Sequence, residues 1–379
     1  HPALNLGNLL RVQGRLTEAE DCYRTAIANA PSDIRPYGNL GLALLNQNKP
    51  REATEIYEEA LTLDPAAHDI RMSLGIAQLT AGDYLAGWQN YEARWNAASF
   101  RVERRRFDAA RWEGQPLDGQ RLLVYAEQGF GDTIQFCRYI PLLAKMGADV
   151  TFECQGPLTR LCGTLDGSPK VVARGDPLPK TDFHVPLLSL PRILGTTLGS
   201  IPSEAPYLAV DSRRADAYRQ RLEPSKKNVG LVWSGNPDRQ DDILRSCPIE
   251  AITPLIEIEN TRIISLQVGN SANELPQGIL DFGAEFGDFA DTAAAISTLD
   301  LVVTVDTATA HLAGALGKPV WVLLGHHADW RYLLERADSP WYPSMRLFRQ
   351  EKAGDWFGLT RAVGQTFRAE FNQETASTR

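Results

Sequence analysis

The stretch from Leu299 to Leu324, LDLVVTVDTATAHLAGALGKPVWVLL, constrains the architecture more than any other part of the chain. It opens with Leu301-Val302-Val303-Thr304-Val305, a run rich in β-branched residues and too short for a helix, which reads as a buried strand. Asp306 and Thr307 follow where the strand should end. Ala308, Ala310, Leu312, Ala313, Ala315 and Leu316 then recur at helical spacing until Gly317 and Pro319 stop them. A second apolar strand, Val320 to Leu324, comes next, which makes one parallel βαβ unit. Open α/β sheets bind ligands at the carboxyl ends of their strands, where this polar turn lies. The helix N-terminus there offers N–H groups and partial positive charge to a phosphate, and His311, one turn in, can face the same spot. The competing reading is structural: Asp306 caps the helix and His311 packs.

At 379 residues the chain is too long for one core and should form two or three domains. Its net charge of −8 provides no basic footprint, so nucleic acid is not expected as a partner. No apolar run has the length of a membrane span. Cys22, Cys137, Cys154, Cys162 and Cys247 are odd in number, scattered and without CxxC spacing. They read as core residues of a reducing, cytoplasmic protein rather than as a disulfide framework or metal site.

The first hundred residues repeat. Gly7, Ala19, Tyr23, Ala26 and Pro31 recur 34 positions later as Gly41, Ala53, Tyr57, Ala60 and Pro65. A third, decaying copy keeps Gly75 and Tyr91 but has Gly87 in place of Ala and Arg94 where Ala26 and Ala60 sat. Small residues let paired helices cross closely, aromatics fill the gap, and Pro ends the second helix: the tetratricopeptide pattern. Such solenoids present a concave surface to peptides or proteins. Repeats are expected over 1–98 and a connector over 99–120, with an Arg cluster at 101–106 read as a solvated face.

Leu122 to Ala126 begins a second strand–turn–helix unit, with the turn Glu127-Gln128-Gly129-Phe130-Gly131-Asp132-Thr133 and a helix expected from Ile134 to Met146. The glycines allow close backbone approach and Asp132 stands at the mouth of the helix. Neither a Rossmann GxGxxG nor a P-loop is present, which disfavours a dinucleotide or ATP site. Val171–Ala173 and Phe183–Pro186 read as short edge strands, and Pro224–Lys227 as a linker. Beyond it, Val229 to Trp233 is a strand ending in Ser234-Gly235-Asn236-Pro237, Arg245 precedes a helix expected from Ile249 to Ile258, and Ile263 to Gln267 is a further strand. Two α/β halves, 121–224 and 225–379, with a ligand cleft between them, are the expectation.

The segments AEQGFGDTIQFCRYIPLL, VGLVWSGNP, RSCP, SLQ, DFADTAAAISTLDLVVTVDTATAHLAGALGKPVW and HHADWRYL resemble bacterial proteins that fuse tetratricopeptide repeats to a glycosyltransferase domain of the lipopolysaccharide heptosyltransferase family (glycosyltransferase family 9). The resemblance implies an α-helical solenoid followed by a GT-B fold of two Rossmann-like domains, acceptor in the first and nucleotide-sugar donor in the second, with no metal or other cofactor. Carried over by position, the acidic catalytic residue falls on Asp132, in an acceptor-side loop with Gly129, Gly131 and Thr133. The donor turn falls on Ser234, Gly235 and Asn236, its basic partner on Arg245, and the diphosphate site on Asp306, Thr307, Ala308 and His311. Ala308 stands where heptosyltransferases usually have Gly, and Arg245 where they carry Lys, so heptose is not implied. The repeats also resemble those of O-GlcNAc transferases in architecture. The expected activity is therefore metal-independent transfer of a sugar from a nucleotide sugar to an acceptor, a protein presented by the repeats. Gln267, Asp291 and the Trp330 region are expected to read the sugar. A non-catalytic interaction scaffold and a GT-B sugar-nucleotide epimerase are the alternatives.

Overall fold

Helices come first because the repeat dictates them. In the computed structural model, which describes residues 2–100, 105–237, 242–269, 275–276 and 278–377, six helices run in antiparallel pairs. They are α1 (Pro2–Val12), α2 (Leu16–Asn29), α3 (Ile34–Asn46), α4 (Pro50–Leu63), α5 (His68–Ala81) and α6 (Tyr84–Tyr91). The repeated positions do the packing: Ala19, Ala26, Ala53 and Ala60 are fully buried, and a Cβ on Gly7 or Gly41 would lie 2.6 or 2.4 Å from the ring of Tyr23 or Tyr57. In the third copy no ring intervenes. A Cβ on Gly75 would meet the Tyr91 backbone nitrogen at 2.5 Å, because Gly87 lets the two backbones close directly.

Arg94, at the position of Ala26 and Ala60, is wholly buried and ends the repetition. Its guanidinium donates to Glu92 Oε1 at 2.6 Å and Ser189 Oγ at 2.9 Å and lies 5.0 Å from the ring centres of Tyr91 and Trp95. A buried cation needs such partners. Residues 189–201, which contain α10 (Leu190–Ile193), and residues 327–336 complete this unit. Residues 101–104 of the expected arginine cluster lie outside the described residues.

The second unit comprises 107–188, 202–326 and 337–379. Its first part holds β1 (Ala110–Arg111), β2 (Arg121–Tyr125), α7 (Phe130–Phe136), α8 (Ile140–Lys145), β3 (Asp149–Cys154), α9 (Thr159–Cys162), β4 (Lys170–Ala173) and β5 (Phe183–Pro186). The strands form a parallel sheet in the order β1-β5-β2-β3-β4. Phe183–Pro186 is thus an inner strand, because Ala110–Arg111 of the expected connector covers its outer edge. The helix expected from Ile134 starts earlier, at Phe130, and passes through a 3₁₀ turn at Cys137–Tyr139. Pro141 accounts for the break, having no N–H to give to the carbonyl four residues back.

The remainder contains α11 (Ser212–Arg219), β6 (Lys227–Val232), α12 (Asp242–Arg245), α13 (Thr253–Ile256), β7 (Thr261–Ser265), β8 (Leu280–Asp281), α14 (Phe289–Ser297), β9 (Leu301–Val305), α15 (Ala308–Ala315), β10 (Val320–Leu324), β11 (Met345–Arg349) and α16 (Trp356–Ser377). Its parallel sheet runs β11-β10-β9-β6-β7-β8. Leu301, Val303 and Val305 on one face pack with Val229, Leu231 and Trp233, and Trp356, Leu359, Val363 and Phe367 of α16 cover them. The helix expected over Ile249–Ile258 is a 3₁₀ turn, Ile249–Ile252, followed by the short α13, with Pro254 near the junction. No helix among the described residues is long and apolar enough to cross a membrane.

Candidate functional site

The central strands of the second sheet deliver two polar turns side by side. Val232 of β6 pairs with Thr304 of β9, so both chains leave the sheet at the same level, one into Ser234-Gly235-Asn236 and the other into Asp306-Thr307. Gln267, just past β7 and 2% exposed, braces the first turn. Its Oε1 accepts from the Trp233 and Ser234 N–H groups at 3.2 and 3.1 Å, and its Nε2 donates to the Ser234 carbonyl at 3.2 Å. Gln267 therefore shapes the turn through its backbone.

Gly235 donates to Ser246 Oγ at 2.9 Å, and that hydroxyl donates in turn to Asp242 Oδ2 at 2.8 Å. A Cβ on Gly235 would lie 2.4 Å from Asp242 Oδ1 and 3.0 Å from an Arg245 nitrogen, so a side chain there would displace the ends of both. Arg245 stands between two carboxylates, 3.7 Å from Asp242 Oδ1 and 3.6 Å from Asp306 Oδ2. Its side chain keeps 21% of its surface exposed, whereas Asp242 and Asp306 keep 12% and 17%. Arg245 thus ties the turn after β6 to the turn after β9, and Asp306 orients this cation. Ser246 adjoins Arg245 in sequence, whereas Asp242 carries only a weak signal, standing one helical turn before Arg245.

Thr307 is the N-cap residue of α15 but makes no side-chain capping bond; its hydroxyl lies 3.0 Å from that of Thr304. The first turn of α15 therefore starts with no side-chain cap. His311, 6% exposed, places Nδ1 3.1 Å from the Tyr342 hydroxyl. Its other edge faces α7 of the first sheet: a Cβ on Gly131 would lie 3.0 Å from His311 Cδ2, 3.6 Å from Nε2 and 3.5 Å from the Ala308 Cα. Small residues at 131 and 308 are what allow these two helix starts to meet.

On the α7 side, Gly129 is the N-cap residue and its N–H donates to Asp132 Oδ2 at 3.0 Å. Asp132 thus reaches back over the first turn as a cap. The Thr133 hydroxyl, buried, lies 3.1 Å from the Gly129 carbonyl and 3.0 Å from Gln155 Oε1, which anchors the loop to the end of β3. Phe130 packs against Phe289 with ring centres 5.0 Å apart.

Asp291 and Trp330 have partners of their own. Asp291 pairs with Arg214 and, at 3.5 Å, with Arg160, and accepts from the Gly287 N–H at 3.1 Å. It fastens α14 to α9 and α11. Burial works against ionisation of its neighbour Asp288, yet Arg160 and the N–H groups of Asp291 and Ala290 hold that carboxyl below its ordinary value. Trp330 is 6% exposed in the helical unit, 5.1 Å from Trp88 and 6.2 Å from Tyr84 between ring centres, where it serves packing.

A helical repeat unit and an α/β unit of two parallel sheets, whose strands end in glycine-bearing turns, are the parts of a repeat protein with a GT-B fold. Comparison with known proteins agrees. Residues 2–66 match the tetratricopeptide repeat family, and residues 287–353, spanning α14 to the turn after β11, match glycosyltransferase family 9 (heptosyltransferase). The chain is a glycosyltransferase carrying tetratricopeptide repeats. It is 26% identical over 422 aligned positions to Protein FlbA of Caulobacter vibrioides, covering 93% of this chain and 70% of that protein. Among solved structures it is similar to the family 9 glycosyl transferase of Veillonella parvula, at 11% identity and a TM-score of 0.48, over 63% of this chain and 88% of that one. It is also similar to the ADP-heptose lps heptosyltransferase II of E. coli, at 14% identity and a TM-score of 0.44, over 68% of this chain and 100% of that one.

Proposed function

We propose that this glycosyltransferase moves a sugar from a nucleotide-sugar donor, with inversion and without a metal ion, to a protein acceptor presented by its repeats. The observation that carries this reading is the meeting of the two helix starts at Gly131, Ala308 and His311, with Arg245 at the adjoining strand end. The reaction breaks the bond between the sugar's anomeric carbon and the donor diphosphate while an acceptor oxygen bonds to that carbon. Negative charge grows on the departing diphosphate. Arg245, the N–H groups of the first turn of α15 and His311 supply the compensating donors, which is where preorganised electrostatics act most strongly. Asp132 takes the proton of the acceptor hydroxyl. Ser234, Gly235 and Asn236 line the donor side; Gly129, Gly131 and Thr133 shape the acceptor side. The concave face of α1, α3 and α5 holds the acceptor chain and does no chemistry.

The test is a melting-temperature screen of nucleoside diphosphates and nucleotide sugars in the presence of a chelator, followed by mass spectrometry of candidate acceptor proteins. A ligand at a hundred times its Kd stabilises the folded state by about 2.7 kcal/mol. Stabilisation by one nucleotide family and a mass gain on the acceptor are expected. Peptide binding with no nucleotide binding would favour a scaffold. Interconversion of free nucleotide sugars without acceptor would favour an epimerase.

A further inference from the structure

His311 does not stand alone; it ends a buried chain of hydrogen-bonding groups that begins at Arg138. Arg138 is 3% exposed, and its hydrogen-bond partners among the described residues are carbonyls and a hydroxyl. It donates to the carbonyls of Gln135 at 2.7 Å, Trp341 at 2.6 Å and Pro202 at 3.2 Å, and to the Tyr207 hydroxyl at 3.0 Å. Its guanidinium lies 4.5 Å from the centre of the Tyr342 ring. The Tyr207 hydroxyl spends its single proton on the Ile134 carbonyl, at 2.9 Å. The Tyr342 hydroxyl lies 3.1 Å from His311 Nδ1 and 3.5 Å from the Tyr207 oxygen, the first within ordinary hydrogen-bond range and the second at its edge. Burial pushes the Tyr342 phenol up, so it keeps its proton.

A phenol has one proton to give, and the shorter contact points it at the imidazole. A ring nitrogen that accepts leaves the ring proton on the other nitrogen, which here is Nε2. Nε2 is on the edge that faces Gly131 and the start of α7, away from the Tyr342 contact. We propose that Tyr342 is a positioning residue: its hydroxyl donates to His311 Nδ1 and holds the imidazole as an Nε2–H donor aimed at the diphosphate of the donor. This inference rests on the donor-site reading above. Tyr342 also fixes the ring's place physically, since a Cβ on Gly314 would meet the tyrosine ring at 2.5 Å and α15 is therefore seated directly on it.

The experiment uses the full chain labelled with ¹⁵N-histidine, with His311→Ala identifying the His311 signals and inorganic pyrophosphate as the probe. In the wild type Nδ1 should show the shift of an acceptor nitrogen and Nε2 that of a protonated one. Tyr342→Phe keeps the ring against Gly314 and over Arg138, so the fold should persist, but the two nitrogens should move toward tautomer-averaged shifts. Pyrophosphate should bind about 5- to 10-fold more weakly, the scale of one misdirected hydrogen bond. In the His311→Ala background Tyr342→Phe should cause no further loss, because it acts through the imidazole. A protonated Nδ1 in the wild type, unchanged shifts in Tyr342→Phe, or an equal loss in both backgrounds would overturn the proposal. A wild type with the expected tautomer that binds no pyrophosphate would overturn the donor-site reading and, with it, the ligand assigned to Nε2.

Discussion

Replacing Gly131 with Ala sets helix propensity against packing, and the geometry says which wins. Gly131 is the second residue of α7. In a helix interior Ala is favoured over Gly by about 1 kcal/mol, and by less in the first turn. Against that, the new methyl would sit 3.0 Å from His311 Cδ2 and 3.5 Å from the Ala308 Cα. Carbon atoms settle at about 3.5–4.0 Å, so the imidazole must retreat by roughly half an ångström. It cannot do so freely: the ring is 6% exposed and Nδ1 is held by Tyr342 at 3.1 Å. Overpacking of this kind costs about 1–3 kcal/mol. The expected sum is a net loss of about 1 kcal/mol, read as a lower denaturant midpoint at unchanged m-value. Because the same movement displaces the His311 donor edge, affinity for a nucleoside diphosphate should fall about tenfold by calorimetry. A variant more stable than wild type with unaltered affinity would refute the close packing of α7 on α15 and its link to the site.

Asp132→Asn should leave the melting temperature and donor binding near those of the wild type, since Asn can still accept from the Gly129 N–H that Asp132 caps at 3.0 Å. Transfer should drop by a factor of about 100 or more, as for a lost general base, and retention of full turnover would reduce Asp132 to a cap. Asp182 should contribute a pH-dependent part of the stability. The Arg121 guanidinium and backbone N–H hold its carboxyl down at about 2, from an ordinary value of 3.8. A depressed folded-state value stabilises above the unfolded value and fades as pH falls through the folded one. The stability gap between wild type and Asp182→Asn should therefore narrow as pH falls below 3.8 and close below about 2; a gap that does not narrow over this range would contradict the Arg121 pairing.

The repeats and the βαβ units are legible in the sequence because their signals are local. Gly7 with Tyr23 and Gly41 with Tyr57 mark helix crossings by type and spacing alone, and the run Leu301–Val305 marks a strand buried on both faces. Features that depend on distant partners are not legible. Ala110–Arg111 is a strand only because Phe183 and His184 offer an edge. Arg94 looks like a defect in the repeat until Ser189 and Glu92 surround it. The packing of Trp330 on Tyr84 and Trp88 of the helical unit joins residues far apart in sequence. Within the site, the turns and Arg245 stand out by residue type, whereas the brace made by Gln267 and the Asp242–Ser246 pair do not. Their side chains serve backbone and neighbours, and no pattern of spacing announces that.

The most direct test of a donor-diphosphate site at this junction is calorimetric titration of wild type and Arg245→Ala with the nucleoside diphosphate that stabilises the wild type most. Arg245 is the cation shared by Asp242 and Asp306, at 3.7 and 3.6 Å. Its removal takes away a charge-assisted contact and leaves two largely buried carboxylates to repel the incoming anion. A loss of at least about 2 kcal/mol, roughly thirtyfold in Kd, is predicted, with the fold intact. Equal affinity in the two proteins would contradict the account, because the diphosphate would then bind away from the turns after β6 and β9.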